Sequence, residues 1–410
     1  MKPVHRVVVV GSGPAGSVVA GLLAKAGRQV LVFDVDKRPP LIVGESMLPA
    51  AVPILRRMGV EDEVKASSVF KPGASLTCGE VLYPFGFKTA AGEAPSYSYN
   101  VKRDEFDAIL RRAAERMGAK TLRIRAKVEH DGRGGVRLVG DALDAAVAEL
   151  GGEPDFVVDA TGRHALVERT VGVGASQGSR NDVALFAHLD TATLEERGHI
   201  HVDRLHKGWS WRIPLRDRTS VGVVISREHL PAYGDTAEAQ YDALLDADPR
   251  LSRRVAGSRR ETPVVKYTNY QRHALRLHGP NWVLAGDAAG FVDPIFSTGV
   301  YLALRGSEMA ADALLANDRE ALVAYQETWL AELRRWRQII SHWYDGRLLA
   351  LLEVGGVMSK APGGALVDAH VSKHVTRIFT GEAGAESYSR NLLKTLLPLG
   401  RPTQGRYAIA

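Results

Sequence analysis

The sequence is poor in cysteine, with Cys78 as the only one among 410 residues. A single thiol excludes an internal disulfide and any site that needs several cysteine ligands. This usage is typical of a reducing compartment, so we expect a cytoplasmic protein. No metal site is predicted either, because His199, His201 and His206 lack the spacing of a ligand set and are interpreted as pocket or surface polar residues.

Long apolar runs are also missing. The run Val7 to Val10 leads straight into glycines and is too short for a signal peptide core or a membrane span. We therefore expect no integral membrane association. The formal charge of +6 comes without a basic run that is interleaved with aromatics. It is interpreted as an arginine-rich solvated surface, and no nucleic-acid partner is predicted.

What the chain does contain is the composition of an ordinary globular protein, 45% hydrophobic and 24% charged. Its first residues predict a strand, a glycine turn, a helix and a second strand, which is the unit that builds a parallel sheet. The elements predicted from such patterns are the strands Arg6–Val10, Gln29–Phe33, Phe156–Asp159 and Trp282–Ala285, and the helices Ser17–Ala26, Asp104–Met117 and Val300–Leu315.

The glycine turn has the spacing Gly11-x-Gly13-x-x-Gly16, and Asp34 ends the next strand. Glycines permit the tight turn, the approach of the backbone to a pyrophosphate and close packing of helix on strand. The helix N-terminus offers N–H groups to phosphates, and the acid accepts ribose hydroxyls. The pattern predicts a dinucleotide site made by Gly11, Gly13, Pro14, Ala15, Gly16 and Asp34.

The predicted fold class is therefore α/β, with a Rossmann-like domain, an inserted antiparallel β-sheet domain and a helical C-terminal region. Alternating runs such as Thr219 to Ile225 indicate the inserted sheet. The expected segments are 1–75 with 97–165 and 270–330 for the cofactor domain, 76–96 with 166–269 for the substrate domain, and 331–410 for the helical region.

Later segments decide which dinucleotide is expected. Asp159-Ala-Thr-Gly-Arg163, Gly286-Asp287-Ala-Ala-Gly290 and Val101 to Asp107 resemble the cofactor segments of FAD enzymes of the p-hydroxybenzoate hydroxylase, geranylgeranyl reductase and halogenase group. The resemblance covers residues 4 to about 315 and implies bound FAD. It assigns to the cofactor Glu45, Ser46, Arg103, Val128, Asp159, Gly162, Gly286, Asp287, Pro294, Gly299 and Val300.

Two motifs resemble the flavin-dependent halogenases within that group. The segment from Trp209 to Pro214 matches their W-x-W-x-I-P pattern, and the resemblance places Trp209, Trp211 and Pro214 in the substrate pocket. Phe291 to Gly299 matches F-x-x-P-x-x-S-x-G. A turn of this kind that enters a helix presents N–H groups to an anion, so we expect chloride or bromide at Ser297, Thr298 and Gly299.

A third feature is Lys71, which lies downstream of Gly44-Glu45-Ser46-Met-Leu-Pro49. Halogenases have a lysine in this context that holds hypohalous acid or carries the halogen, so the resemblance implies that Lys71 is catalytic. The expected substrate is a small electron-rich aromatic, a phenol or pyrrole, free or on an acyl carrier protein, since the acid that tryptophan halogenases place beside the indole has no clear match.

No second dinucleotide fingerprint is predicted, because the glycine-rich segment Gly172 to Gly178 is interpreted as a loop. We therefore expect a separate flavin reductase to reduce the FAD. Three alternatives stay open at this point. They are a geranylgeranyl reductase-like enzyme that reduces carbon–carbon double bonds, an FAD-dependent aromatic hydroxylase, and a flavin-binding scaffold without turnover.

Overall fold

The computed structural model describes residues 4–35, 39–268, 271–358, 364–383, 391, 395, 408 and 409. Its strands are, in chain order, β1 Arg6–Val10, β2 Gln29–Phe33, β3 Val69–Lys71, β4 Gly73–Cys78, β5 Val81–Gly86, β6 Ser98–Asn100, β7 Lys120–Leu122, β8 Val128–His130, β9 Val136–Leu138, β10 Phe156–Asp159, β11 Ala175–Gln177, β12 Asp182–Leu189, β13 Ile200–Leu205, β14 Gly208–Pro214, β15 Thr219–Ser226, β16 Val265–Thr268, β17 Arg272–Ala274, β18 Trp282–Leu284 and β19 Gly290–Phe291. Its α-helices are α1 Pro14–Lys25, α2 Val52–Arg57, α3 Glu61–Ser67, α4 Arg103–Arg116, α5 Asp141–Leu150, α6 Leu166–Val171, α7 Ala237–Ala247, α8 Pro249–Val255, α9 Thr298–Ala316, α10 Arg319–Tyr344, α11 Arg347–Met358 and α12 Gly364–Thr380.

The first sheet is parallel and has the strand order β18-β10-β1-β2-β7. Val10 pairs with Phe33 on one side and with Asp159 on the other, and Asp159 pairs with Leu284. Four strands therefore end at the same level, and the segments that follow them meet along one edge of the sheet. The predicted α/β class and the predicted strands of this sheet are confirmed, although β18 ends one residue early.

The predicted helices begin earlier than their apolar periodicity indicates. Helix α1 begins at Pro14 and not at Ser17, because proline is well suited to the first helical position. Helix α9 begins at Thr298 and not at Val300. Both helices therefore start inside the motifs that precede them, and their N-termini point towards the edge where the strands end.

The inserted sheet has seven strands in the order β16-β12-β15-β14-β13-β4-β5. Its pairs are antiparallel as predicted, apart from β4 with β13, which run parallel because the chain enters this sheet twice. Along β14, Trp209, Trp211 and Ile213 join the main core, whereas Ser210 and Arg212 lie on the other face. The strand thus aims its aromatic residues at the parallel-sheet domain.

Smaller sheets join the two parts. Strand β11 pairs with β17, which pairs with β19. The prediction of a loop over Gly172–Gly178 was therefore wrong at residues 175–177, which are recruited by long-range pairing. Strands β3 and β6 form a two-stranded ribbon that places Lys71 opposite Ser98.

Helices α10, α11 and α12 follow the cofactor-like segments, as predicted for the C-terminal region. Trp329, Trp336 and Trp343 are buried at seven-residue spacing along α10, so one face of this helix packs on the core. In the predicted region 331–410, residues 359–363 and most of 384–410 lie outside the described residues. The segment boundaries of the three predicted domains stay a prediction. Among the described residues, no helix is long and apolar enough to cross a membrane.

The first testable prediction concerns the glycine turn after β1. A Cβ at Gly16 would clash with the carbonyl oxygen of Gly11, whereas a Cβ at Gly13 meets no atom within 4 Å. Gly16→Ala should lower the free energy of unfolding by about 1–3 kcal/mol, because α1 cannot then pack against the turn. Gly13→Ala is the matched control and should leave the unfolding free energy of the FAD-free protein nearly unchanged in urea titrations. Equal losses in the two variants would contradict this account.

Candidate active site

A cavity of about 1000 Å³ opens at the edge where the parallel strands end and reaches the aromatic face of the seven-stranded sheet. Its walls therefore come from segments that lie far apart in the chain. The predicted site residues that line it are Gly11, Gly13, Pro14, Ala15, Asp34, Glu45, Ser46, Arg103, Val128, Gly162, Trp209, Trp211, Asp287, Pro294, Ser297, Gly299 and Val300.

Six predicted site residues lie outside the cavity wall, and they are Gly16, Lys71, Asp159, Pro214, Gly286 and Thr298. Gly16 and Gly286 are packing positions: a Cβ at Gly286 would overlap the side chain of Ala15, and its φ is +62°. Pro214 is buried at the end of β14, on the face opposite the tryptophans.

Asp159 supports the cavity from behind. Its buried carboxylate accepts hydrogen bonds from the backbone N–H groups of Thr161 at 3.0 Å and Val167 at 2.7 Å, and from the Thr161 hydroxyl at 2.6 Å. Burial raises the pKa of this carboxyl. Asp159 therefore holds the turn that carries Gly162, which does line the cavity.

The glycine end of the cavity suits a dinucleotide. The N-terminus of α1 opens onto it, so its first N–H groups can bind phosphate oxygens. The space beside Gly13 is free of protein atoms within 4 Å, which leaves room for a ligand to approach the backbone. At the rim, the Ser12 hydroxyl donates to the Asp34 carboxylate at 2.6 Å and orients this acid.

The middle of the cavity carries a buried charge arrangement around Arg103. Its guanidinium donates to the Asp107 carboxylate at 3.0 Å and to the carbonyl oxygen of Val43, so the side chain is fixed before any ligand binds. Burial raises the pKa of Asp287 to about 6, and the charges of Arg103 and Arg163 oppose that shift. A cation and an acid therefore line the same cavity, which suits FAD with its polar chain and apolar ring.

Glu45 has a partner that the sequence did not indicate. His188 Nε2 lies 2.6 Å from Glu45 Oε1, and both side chains are buried. His188 follows Ala184 on the cavity-facing side of β12, so this hydrogen bond ties the Gly44–Pro49 segment to the seven-stranded sheet. The two residues are 143 positions apart, and no local pattern could have linked them.

The predicted halide segment forms a strained turn at the far end of the cavity. Phe296 and Ser297 have φ values of +62° and +60°, a region that residues other than glycine rarely adopt. Ser297 and Gly299 line the cavity, and α9 begins at Thr298 between them. The N-terminus of a 19-residue helix therefore opens onto the cavity, where its N–H groups and dipole favour an anion.

Lys71 does not line the cavity but contacts a residue next to its wall. Its side chain is 1% exposed, and Nζ donates to the carbonyl oxygen of Met47 at 2.8 Å; Met47 follows Ser46, which lines the cavity. The ring of Phe87 lies 5.4 Å from Nζ. Burial lowers the pKa of Lys71 to about 7, because one carbonyl replaces the water that would solvate an ammonium.

Comparison with known proteins agrees with this geometry. The family model of tryptophan halogenase matches residues 6–87 and 87–347. The tryptophan 2-halogenase of Chondromyces crocatus is 31% identical over 365 residues, which cover 83% of this chain and 68% of that protein. The 1H-pyrrole-2-carbonyl-[peptidyl-carrier protein] chlorinase of Pseudomonas fluorescens is 29% identical over 384 residues and 84% of both chains.

A solved structure shows the same similarity. The myxobacterial chondrochloren halogenase CndH, described as a variant of FAD-dependent halogenases, superposes with a TM-score of 0.73 and 29% identity over 84% of this chain and 83% of that one. The predicted resemblance to flavin-dependent halogenases and the predicted FAD and halide use are confirmed. The chain belongs to the tryptophan halogenase family and is an FAD-dependent enzyme.

Proposed function

We propose that the enzyme halogenates an electron-rich aromatic compound of phenol or pyrrole type, free or attached to a carrier protein, and that Lys71 delivers the halogen. The observation that carries this proposal is the placement of Lys71. Its amine is buried directly behind the cavity wall and has one hydrogen-bond acceptor among the residues that the structure describes. A lysine with no catalytic task is rarely buried without a carboxylate partner.

The chemistry that reduced FAD supplies, when bound, is the oxidation of halide by oxygen. The flavin and the halide each give two electrons, so one oxygen molecule becomes one water and one hypohalous acid. Substitution on the ring then replaces a C–H bond by a carbon–halogen bond and releases a second water. The residues that would hold the flavin are those of the cavity wall, from Gly11 to Val300.

The halide is assigned to the segment Ser297–Gly299. Its N–H groups belong to the first turn of α9, and its side chains bring no negative charge to the cavity. Trp209 and Trp211 line the same cavity from the opposite sheet. Their apolar surfaces exclude water, and this favours transfer of the halogen over hydrolysis.

Lys71 suits the delivery step in two ways. As an ammonium it can donate a hydrogen bond to hypohalous acid, and as a free amine it can accept the halogen and release water. A pKa near 7 makes both forms available at neutral pH. In the ammonium form, two of its three N–H groups have no acceptor among the described residues, so an oxidant that reaches the amine meets donors that are not already engaged.

The substrate class rests on the relatives. The pyrrole-2-carbonyl carrier-protein chlorinase aligns over 84% of its length, and a carrier-protein brominase from Pseudoalteromonas luteoviolacea is 29% identical over 326 residues. The tryptophan 2-halogenase aligns over 68% of its length, against 84% for the chlorinase. This difference favours a pyrrole or phenol over free tryptophan.

A separate flavin reductase is proposed as the source of electrons, and the cytoplasm as the place of action. Support for the reductase is that the glycine turn after β1 already belongs to the FAD site. The other glycine-rich segment, Gly172 to Gly178, contains a strand at residues 175–177 and does not form a second dinucleotide turn. A hydroxylase or a double-bond reductase would use the same cofactor site and would leave Lys71 without a role.

The test of this proposal is bromination of phenols, pyrroles and indoles, free and carrier-bound, with FAD, a flavin reductase, NADH and bromide. Mass spectrometry should find the bromine isotope pattern in products of the wild type. Lys71→Ala should lower this product about 100-fold or more while a small 1,3-diketone still traps hypohalous acid, because the oxidation step does not need the lysine.

Lys65→Ala is the matched control, since Lys65 is exposed on α3 a few residues upstream. It should brominate like the wild type. Full organic product from Lys71→Ala would overturn the role of Lys71. Hydroxylated or reduced products without bromine would replace halogenation by one of the two alternative reactions.

A prediction about the pH dependence of stability follows from the burial of Lys71. Its pKa is lowered to about 7 in the folded protein, whereas lysine in an unfolded chain titrates near about 10.4. Between these two pKa values the unfolded chain binds one more proton than the folded protein. The contribution of Lys71 to the unfolding free energy therefore rises with pH through this window and does not change with pH below it. Lys71→Met should therefore be more stable than the wild type by a few kcal/mol at pH 7, and this advantage should vanish near pH 10.

Urea titrations at several pH values measure this difference. Lys65→Met should show no comparable pH-dependent difference, because an exposed lysine keeps its water. A Lys71→Met advantage that stays constant from pH 7 to pH 10 would show that Lys71 is not deprotonated in the folded state.

A further inference from the structure

A buried hydroxyl connects the tryptophan motif to the halide segment. The indole Nε1 of Trp209 donates to the hydroxyl oxygen of Tyr344 at 3.1 Å, and the same hydroxyl lies 3.2 and 3.0 Å from the two carboxylate oxygens of Asp293. All three side chains are buried. The contact joins β14, the last residue of α10 and the segment that leads into α9.

The chemistry of the groups fixes the direction of these hydrogen bonds. An indole N–H can only donate, so the Tyr344 oxygen must accept from Trp209. The hydroxyl proton is then left for the Asp293 carboxylate. Asp293 also accepts from the backbone N–H of Ile295 at 3.0 Å and from Gln271 Nε2 at 3.1 Å, and thus receives donors from three directions.

Asp293 in turn shapes the halide segment. It precedes Pro294, and its backbone carbonyl accepts the hydroxyl of Thr298 at 3.2 Å. Between these two contacts lie Phe296 and Ser297, both in the left-handed region. Such a backbone costs free energy and persists only where the surroundings hold it in place. The carboxylate and the carbonyl of Asp293 supply two of those constraints.

The position of Tyr344 is itself set by its neighbours. The guanidinium of Arg180 lies 3.8 Å above the Tyr344 ring and is paired with Asp182 at 2.6 Å. On the same helix, the ring of Trp343 packs edge to face on Phe296, with centroids 5.9 Å apart. Helix α10 therefore packs Trp343 against the strained turn, and its next residue, Tyr344, donates a hydrogen bond to Asp293.

We propose that Tyr344 and Asp293 are positioning residues that set the distance between the halide segment and Trp209, and so determine how tightly the enzyme holds halide. Neither residue lines the cavity, so they act through Ser297–Gly299 and through the indole. The inference rests on the proposed function, in which that segment binds chloride or bromide.

Burial and hydrogen bonding act in opposite directions on the charge state of the Asp293 carboxyl. Asp293 is fully buried, and burial raises the pKa of its carboxyl to about 7, with the charge of Asp182 acting in the same direction. The three groups that donate to it, the Tyr344 hydroxyl, the Ile295 N–H and Gln271 Nε2, favour the carboxylate and oppose that shift. Loss of the Tyr344 hydroxyl leaves both Asp293 and the Trp209 N–H with one partner fewer.

The test is Tyr344→Phe, studied as the FAD-loaded protein. Bromide is titrated while the visible absorbance of the bound flavin is recorded, which gives a dissociation constant without turnover. The expected result is a bromide dissociation constant raised about tenfold, the cost of an unmet buried hydrogen bond. The dissociation constant of FAD should stay within about twofold, since the FAD-lining residues are untouched.

Tyr325→Phe is the matched control. Tyr325 is a buried tyrosine on the same helix, and its hydroxyl donates to the carbonyl of Leu284 at 2.7 Å, away from the halide segment. This variant should lose stability without a change in bromide affinity. Asp293→Asn replaces one carboxylate oxygen by an NH2 group, which cannot accept a hydrogen bond. One of the donors Tyr344 and Gln271 then loses its acceptor, so this variant should weaken bromide binding as Tyr344→Phe does.

The outcomes separate this inference from the proposed function. Unchanged bromide affinity in Tyr344→Phe, an equal weakening in Tyr325→Phe, or a wild type without saturable bromide binding would each overturn the positioning role. A wild type that binds bromide, loses affinity in Tyr344→Phe alone, and yet makes no brominated product would support the positioning role and overturn halogenation as the activity.

Discussion

The common level at which four parallel strands end is the constraint on which the rest of the site depends. Because β1 pairs in register with β2 and β10, and β10 with β18, the glycine turn, Asp34, the Gly162 turn and the Gly286 turn meet along one edge. The segments that form the cavity wall on the side of the parallel sheet all start at that edge. A slip of one residue between β1 and β2 would turn the side chains of β2 to the opposite face of the sheet and would displace Asp34 relative to the glycine turn.

The second wall depends on strand alternation. Trp209, Trp211 and Ile213 face the cavity, while Arg212 faces the opposite core and binds Asp203 at 3.1 Å. Three ionisable groups in or next to the cavity are buried away from water. Burial moves the pKa of Lys71 down to about 7, that of Asp287 up to about 6 and that of Asp293 up to about 7.

Much of this site could be predicted from local motifs in the sequence. The glycine turn, the tryptophan segment and the segment before Gly299 are short, and each brings its residues to the cavity through its own strand or helix. Contacts between distant segments escaped prediction. Tyr344 meets Trp209 across 135 positions and Asp293 across 51, and no periodicity encodes such a meeting. The burial of Lys71 was likewise not predictable from the local sequence. Its amine is enclosed through the pairing of β3 with β6 and the approach of Met47, which are contacts between segments distant in the chain.

The central claim is that Lys71 is a desolvated amine poised to receive the halogen. The most direct measurement is nitrogen NMR of the FAD-loaded protein with lysine labelled at Nζ, with Lys71→Arg used to assign the signal, across pH 5 to 11. The account predicts that the Lys71 signal titrates near pH 7, apart from the other lysines, as its burial requires. A Lys71 signal that titrates with the bulk lysines near about pH 10.4 would contradict the account.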